Sequence, residues 1–233
     1  MSAARRRNAV KGTRSSKLED LDQRRRDLEV EIATREAAES RLRETLERRK
    51  RQFDVVGVVA QSEALAGGDV EGLARQITEL AARAAGCERA NVWLFNDDDT
   101  ELRCIDLYEA TTGTHSSGLV LHAHQFGAEF ATLIKDRYVD ADDASTDPRT
   151  AGYVAGYVKP LGITAMLDVL IGASGRHFGL LCFEHVGKAH HWEPDEIAFA
   201  GQLADKIAFA IGVQASRQAE VRVRANEAAL AAA

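Results

Sequence analysis

Ile163-Thr-Ala-Met-Leu-Asp-Val-Leu-Ile-Gly-Ala-Ser-Gly-Arg-His-Phe-Gly-Leu-Leu-Cys-Phe-Glu-His185 is the stretch that decides the fold. Two apolar runs flank Gly172-Ala-Ser-Gly175, where glycine supplies the backbone freedom of a tight turn, so the stretch reads as a β-hairpin. Both runs are apolar on their two faces, which predicts central strands covered on either side.

Working outward, a helix feeds the hairpin and another leaves it. Asp147-Pro148 is an N-cap followed by proline at the first helical position, predicting a helix to about Lys159 that ends at Pro160-Leu-Gly162. After the hairpin, Trp192-Glu-Pro-Asp-Glu196 opens a helix with acids in its first turn and an apolar stripe at Ile197, Ala200, Ala204, Ile207 and Ile211. Upstream, Asn91–Phe95 and Leu102–Tyr108 flank the polar turn Asn96-Asp-Asp-Asp-Thr100 and form a second hairpin. Thr111 to Ser117 reads as a polar loop, Leu119 to His124 as a strand, Ala128 to Lys135 as a short helix and Tyr138-Val-Asp-Ala as a further strand. Asp69 and Gly86 cap a helix from Val70 to Ala85, and an apolar helix over Phe53 to Leu65 precedes it.

The N-terminal portion differs in kind. Residues 1–53 hold 16 Lys/Arg against 10 Asp/Glu, and the remaining 180 hold 14 against 26. Residues 1–17 carry six basic residues and no acid, the composition of a disordered tail. From Leu18 a heptad pattern sets in, with Leu18, Ile32, Leu46 and Phe53 at a, and Leu21, Leu28 and Leu42 at d. Arg25, Glu39, Arg35 and Arg49 interrupt it, so the reading is an imperfect dimeric coiled coil over residues 18–53. The basic segment could touch nucleic acid or an anionic lipid surface; the acidic body argues against binding phosphate backbones. No apolar run approaches the ~20 residues of a membrane-spanning helix, and no secretory h-region follows Arg5-Arg6-Arg7. Three scattered cysteines, Cys87, Cys104 and Cys182, fit reduced thiols in a cytoplasm.

The order of elements predicts an α+β fold, a central antiparallel sheet with helices on both sides and long terminal helices. Arg89-Ala-Asn-Val-Trp-Leu-Phe-Asn-Asp-Asp98, Tyr138-Val-Asp140 with Asp147-Pro-Arg149, Ala165-Met-Leu-Asp-Val-Leu-Ile171, and Gly179-Leu-Leu-Cys-Phe-Glu-His-Val-Gly187 with Trp192-Glu-Pro-Asp-Glu196 together resemble a GAF domain of bacterial sensor proteins. The resemblance covers about residues 53 to 212. Leu170 stands where such sequences usually place proline. The chain then divides into a tail (1–17), a coiled-coil helix (18–53), a GAF domain (54–212) and a C-terminal signalling helix or linker (213–233).

The resemblance implies a non-catalytic module that senses a small molecule or dimerises, a homodimer built from the N- and C-terminal helices, and an output partner such as a histidine kinase, diguanylate cyclase or PAS domain. Some relatives attach a bilin to a cysteine before the hairpin; residues 149–163 hold no cysteine, so no covalent chromophore and no other defined cofactor is expected. An unidentified small molecule is the expected ligand, held between the hairpin sheet and the segment from Phe126 to Pro160. Trp93, Phe95, His122, Tyr153, Tyr157, Met166 and Asp168 are the expected lining, aromatic walls with a few polar groups. His122 and His124 share a strand face, but no Cys or carboxylate stands at a confirming spacing for a metal. Asp168 and Glu184 could act as paired acids and Cys182 as a thiol; buried packing is the preferred reading of all three. The alternatives are a purely structural dimerisation module, a basic coiled-coil adaptor and a free methionine sulfoxide reductase.

Overall fold

The computed structural model describes the backbone of residues 3–122, 127–152 and 154–231, and their side chains except those of 3–22, 127–129 and 131. Two compact units are present, Met1–Arg48 and Arg49–Ala233.

The first unit is helical. It belongs to α1, Ala3–Ala60, which takes in most of the stretch whose composition suggested a disordered tail. Alanine, arginine and lysine are strong helix formers and no proline interrupts them. Exposed i,i+4 pairs such as Arg35–Glu31 at 2.6 Å and Arg43–Glu39 at 2.5 Å lace the surface. The heptad residues Leu28, Ile32, Leu42 and Leu46 are more than half exposed, so the chain by itself leaves this stripe uncovered.

The second unit begins with the end of α1. The expected helix from Phe53 to Leu65 is broken: α1 stops at Ala60, Ser62 accepts from the Ala64 amide at 3.2 Å, and a short α2 covers Glu63–Gly67. The Ser62 hydroxyl offers the backbone an alternative to the helical ladder. Gly68, at φ +68°, turns the chain, and Asp69 caps α3, Val70–Ala85, by accepting from the Gly72 amide. The sheet comes next, built from β1 (Arg89–Phe95), β2 (Glu101–Glu109), β3 (Thr114–Ser116), β4 (Val120–His122), β5 (Tyr138–Ala141), β6 (Ile163–Ala173) and β7 (Arg176–Val186). Its order is β3-β2-β1-β7-β6-β5, every pair antiparallel, with β4 also on β2. β3 lies in the expected polar loop, and the third expected strand is only three residues long. His124 lies outside the described residues.

The quoted hairpin is β6 and β7. Ala173 faces Arg176, so the turn is the two residues Ser174 and Gly175, both left-handed at φ 52° and 77°, the geometry that matches strand twist. Period-two alternation sends Ala165, Leu167, Val169, Ile171, Leu181 and Phe183 to one face. There they pack with Ile77 of α3 and Leu203 and Ile207 of α6, Pro194–Ala231. Met166, Leu170, Leu180 and Cys182 turn to the other face, with Trp93, Cys104 and Leu133 of α4, Gly127–Asp136.

The helix expected up to Lys159 does not form as one piece. Asp147 caps a single 3₁₀ turn, Pro148–Thr150; a π-helical turn covers Val154–Val158, and α5, Lys159–Leu161, ends at Gly162. Gly152 and Gly156 weaken the helix, and the Tyr157 hydroxyl is drawn to Glu184 on the sheet at 2.7 Å.

Between β7 and α6 the chain is pinned by histidines. His185 pairs with Glu88 at 3.1 Å and stacks on His190, ring centroids 4.0 Å apart. Asp142, just beyond β5, holds the His191 ring at 2.5 Å and the Trp192 amide at 3.0 Å. The Glu196 carboxylate accepts from the Glu193 amide and faces His190 at 3.1 Å.

Candidate functional site

A cavity of about 30 Å³ lies over the second face of the sheet. That volume holds about one or two water molecules. β1 sends Asn91 and Trp93 into it, β6 sends Met166 and Asp168, and β7 sends Leu180, Cys182 and Glu184. Leu102, Leu121 of β4 and Tyr157 of the π-turn complete it. All three strands contribute alternate residues, so the site arises from strand register: Asn91 faces Cys182, and Asp168 faces Cys182 from the other side.

Glu184, 1% exposed, is the hub. Arg89 Nε donates to its Oε2 at 2.7 Å, while Asn91 Nδ2 at 2.9 Å and the Tyr157 hydroxyl at 2.7 Å donate to Oε1. Arg89 also donates through Nη1 to Glu109, and Trp93 Nε1 donates to Asn91 Oδ1 at 2.5 Å. A buried carboxylate is tolerated because donors surround it, and Arg89 is its counter-charge. Burial works against the Arg89 charge, yet Glu184 and Tyr157 raise its pKa above the ordinary value. Burial, and then the Glu184 charge, push the Tyr157 phenol upward. Cys182 is raised well above the usual thiol by burial and by Asp168, to which its thiol donates. Burial, then the charges of Asp106 and Glu184, push Cys104 up to about 12. These thiols stay protonated at neutral pH, unlike the thiolates of nucleophilic cysteines.

Of the seven expected lining residues, Trp93, Tyr157, Met166 and Asp168 are brought together here. Phe95 lies farther along β1 and packs on Phe130, centroids 5.1 Å apart, because the cavity ends at Trp93. His122 is exposed on β4, 3.7 Å from Glu101, so the shortness of that strand keeps it out of the cavity. Tyr153 lies outside the described residues. Asn91, Glu184 and Arg89 were not among the expected lining. The signal was a polar side chain in the middle of an apolar strand, since such a residue must meet partners. Among the described residues no group of three or more His, Cys, Asp or Glu could hold a metal ion. No described helix is long and apolar enough to cross a membrane. A wider open cleft of about 630 Å³ lies by the hairpin tip, bounded by Glu71, Asp97, Arg176 and Gln214. The smaller cavity is the better candidate because buried polar groups converge on it.

A family model for the GAF domain matches residues 69–211. A search of curated proteins finds no match. Among solved structures, the chain is similar to the GAF domain of a phosphoenolpyruvate-protein phosphotransferase from Coxiella burnetii, at 18% identity and TM-score 0.56 over 75% of this chain and 98% of that one. It is similar to the phycoerythrobilin-bound GAF domain of a cyanobacterial phytochrome, at 17% identity and TM-score 0.60 over 72% and 97% of the two chains. The GAF domain of an Acinetobacter phosphoenolpyruvate-protein phosphotransferase matches at 11% identity and TM-score 0.54, over 73% of this chain and 96% of that one. At these identities the likeness is one of fold.

Proposed function

The chain belongs to the GAF domain family, and on that premise we propose that its body is a cytoplasmic, non-catalytic sensory module whose ligand site is the cavity over Glu184. GAF is a small-molecule-sensing fold of signalling proteins. The observation that carries the reading is the convergence of Arg89, Asn91, Tyr157 and Glu184 at the end of an otherwise apolar cavity. Burying so many polar groups is costly unless each is satisfied, and a closed polar network beside free volume is a place where a ligand can exchange partners.

The link to output runs through Tyr157. A ligand that competes for Glu184 shifts the π-turn, and Asp142 on the same face of the fold holds His191 and Trp192 at the start of α6. Ligand occupancy then biases α6, and with it a homodimer formed by the terminal helices and an attached kinase or cyclase partner. A bilin bound in the manner of the phytochrome neighbour is not favoured, because residues 149–163 hold no cysteine for attachment.

A metabolite library screened by thermal shift tests the reading. A ligand is expected to raise the Tm of the wild type and to lose that effect in Met166→Trp, which fills the cavity. If no compound raises the Tm, or if every stabilising compound acts equally on the filled variant, the cavity is not the sensing site. The second reading, a dimerisation module with an unliganded core, is favoured by the small volume of about 30 Å³ and is the outcome in which the library is silent.

A further inference from the structure

Resting on the reading of this cavity as the ligand site, we propose that its ligand is a small organic cation bearing N–H donors, an ammonium or amidinium group on an apolar body.

The cavity has spent its donors. Arg89 gives to Glu184 and Glu109, Asn91 and Tyr157 give to Glu184, and Trp93 gives to Asn91. Its polar end still presents acceptor capacity. A carboxylate offers about four acceptor positions. Glu184 uses three of its own, and Asp168, 4% exposed and also lining the cavity, takes the Cys182 thiol. A ligand that enters as an acceptor meets no donor that is not already engaged; one that enters as a donor completes the set.

Charge points the same way. Asp168, Glu184 and Glu109 stand around the single guanidinium of Arg89. An anion brought into this space meets like charge in a medium of low dielectric, and a cation meets opposite charge through charge-assisted hydrogen bonds. The neighbouring groups already register this field. Beyond the effect of burial, Asp168 and Glu184 raise Cys182, and Glu184 raises Cys104 and Tyr157. The walls suit the remainder of such a molecule. Trp93 and Tyr157 offer aromatic surface to a cation, and Met166, with Leu102, Leu121 and Leu180, takes an apolar body. The cavity of about 30 Å³ admits a head the size of an ammonium group, and the flexible Met166 side chain repacks around the apolar body attached to that head.

The test uses the full chain with methylammonium, butylammonium and benzylammonium chlorides. Benzyl alcohol and sodium benzoate serve as neutral and anionic analogues of similar shape, and potassium chloride matches ionic strength. At tenfold excess over the dissociation constant a cation is expected to raise the Tm by about 3 °C or more. The alcohol, benzoate and potassium chloride are expected to give no shift. Asp168→Asn is expected to weaken ammonium binding about tenfold or more by calorimetry. If that variant fails to fold, the ranking of cation, alcohol and anion on the wild type decides alone. Binding of alcohol or benzoate as tightly as ammonium overturns the cation assignment and leaves the cavity reading standing. So does a neutral or anionic library ligand that Met166→Trp abolishes while every ammonium probe is silent. Ammonium binding undiminished in both Asp168→Asn and Met166→Trp places it elsewhere and also overturns the proposal. Silence of every probe and of the library removes the sensing reading and this one with it.

Discussion

Glu184 is a carboxylate enclosed in the middle of an apolar strand, and its neighbours show what that costs. Its three donors arrive from β1 and the π-turn. Tyr157→Phe removes one of them without changing the shape of the ring. The loss is expected to destabilise the fold by about 1–3 kcal/mol in urea denaturation, since the carboxylate keeps its burial and loses a partner. A variant as stable as the wild type would show that the hydroxyl does not hold the π-turn to the sheet. His185 gives a second prediction at this scale. Burial and the neighbouring His190 lower its pKa below 6.5, while Glu88 and Glu196 oppose the shift. A histidine kept neutral by folding contributes stability that is full above pH 6.5 and is lost as pH falls below it towards the lowered native value. Urea midpoints are therefore expected to fall between about pH 7.5 and pH 5.5 more steeply in the wild type than in His185→Gln. His191, raised by Asp142, works with the opposite sign, and its exposure makes that contribution small. Equal slopes in the two proteins would contradict the assignment.

At the scale of elements, the clearest constraint is where α2 meets α6. Gly68 has φ +68°, and a Cβ there would lie 2.7 Å from the backbone nitrogen of Gln214. Arg217 of α6 donates to the carbonyls of Gly67 and Ala66 at 2.7 and 3.2 Å, closing the same contact. Gly68→Ala is expected to cost about 2 kcal/mol or more, through left-handed strain and the displacement of α6. Retained stability would mean that α6 can move away freely. Elements that state their own boundaries were legible in the sequence. The β6–β7 hairpin carried apolar runs and a turn, α3 carried Asp69 and Gly86, and α6 carried Pro194 with acids behind it. Elements defined by distant partners were not. The π-turn exists because Tyr157 reaches a strand residue 27 positions away, and β3 exists because β2 offers it an edge. Of the site, the aromatic and sulfur lining was readable from residue type, at Trp93, Tyr157 and Met166. Asn91 and Glu184 needed the register that sets β1 between β2 and β7.

At the scale of the whole molecule, stripes of exposed apolar residues remain. Leu28, Ile32, Leu42 and Leu46 on the helical unit are 57%, 54%, 59% and 57% exposed. Phe209, Val221 and Val223 on α6 are similarly open to solvent. A narrow apolar stripe on a long helix finds burial in association. The full chain is expected to be a homodimer in light scattering, and Leu42→Asp with Leu46→Asp is expected to shift it towards monomer. A monomeric wild type, or a double variant that stays dimeric with unchanged affinity, would count against the coiled-coil interface.

The central claim is that the cavity over Glu184 holds a small molecule that this protein reads. Native mass spectrometry of the full chain purified from its own host tests that most directly, with Met166→Trp prepared in parallel. The wild type is expected to carry a stoichiometric excess mass that disappears on denaturation and is missing from the filled variant. A wild-type mass equal to that of the bare polypeptide, or an excess retained unchanged in Met166→Trp, would contradict it.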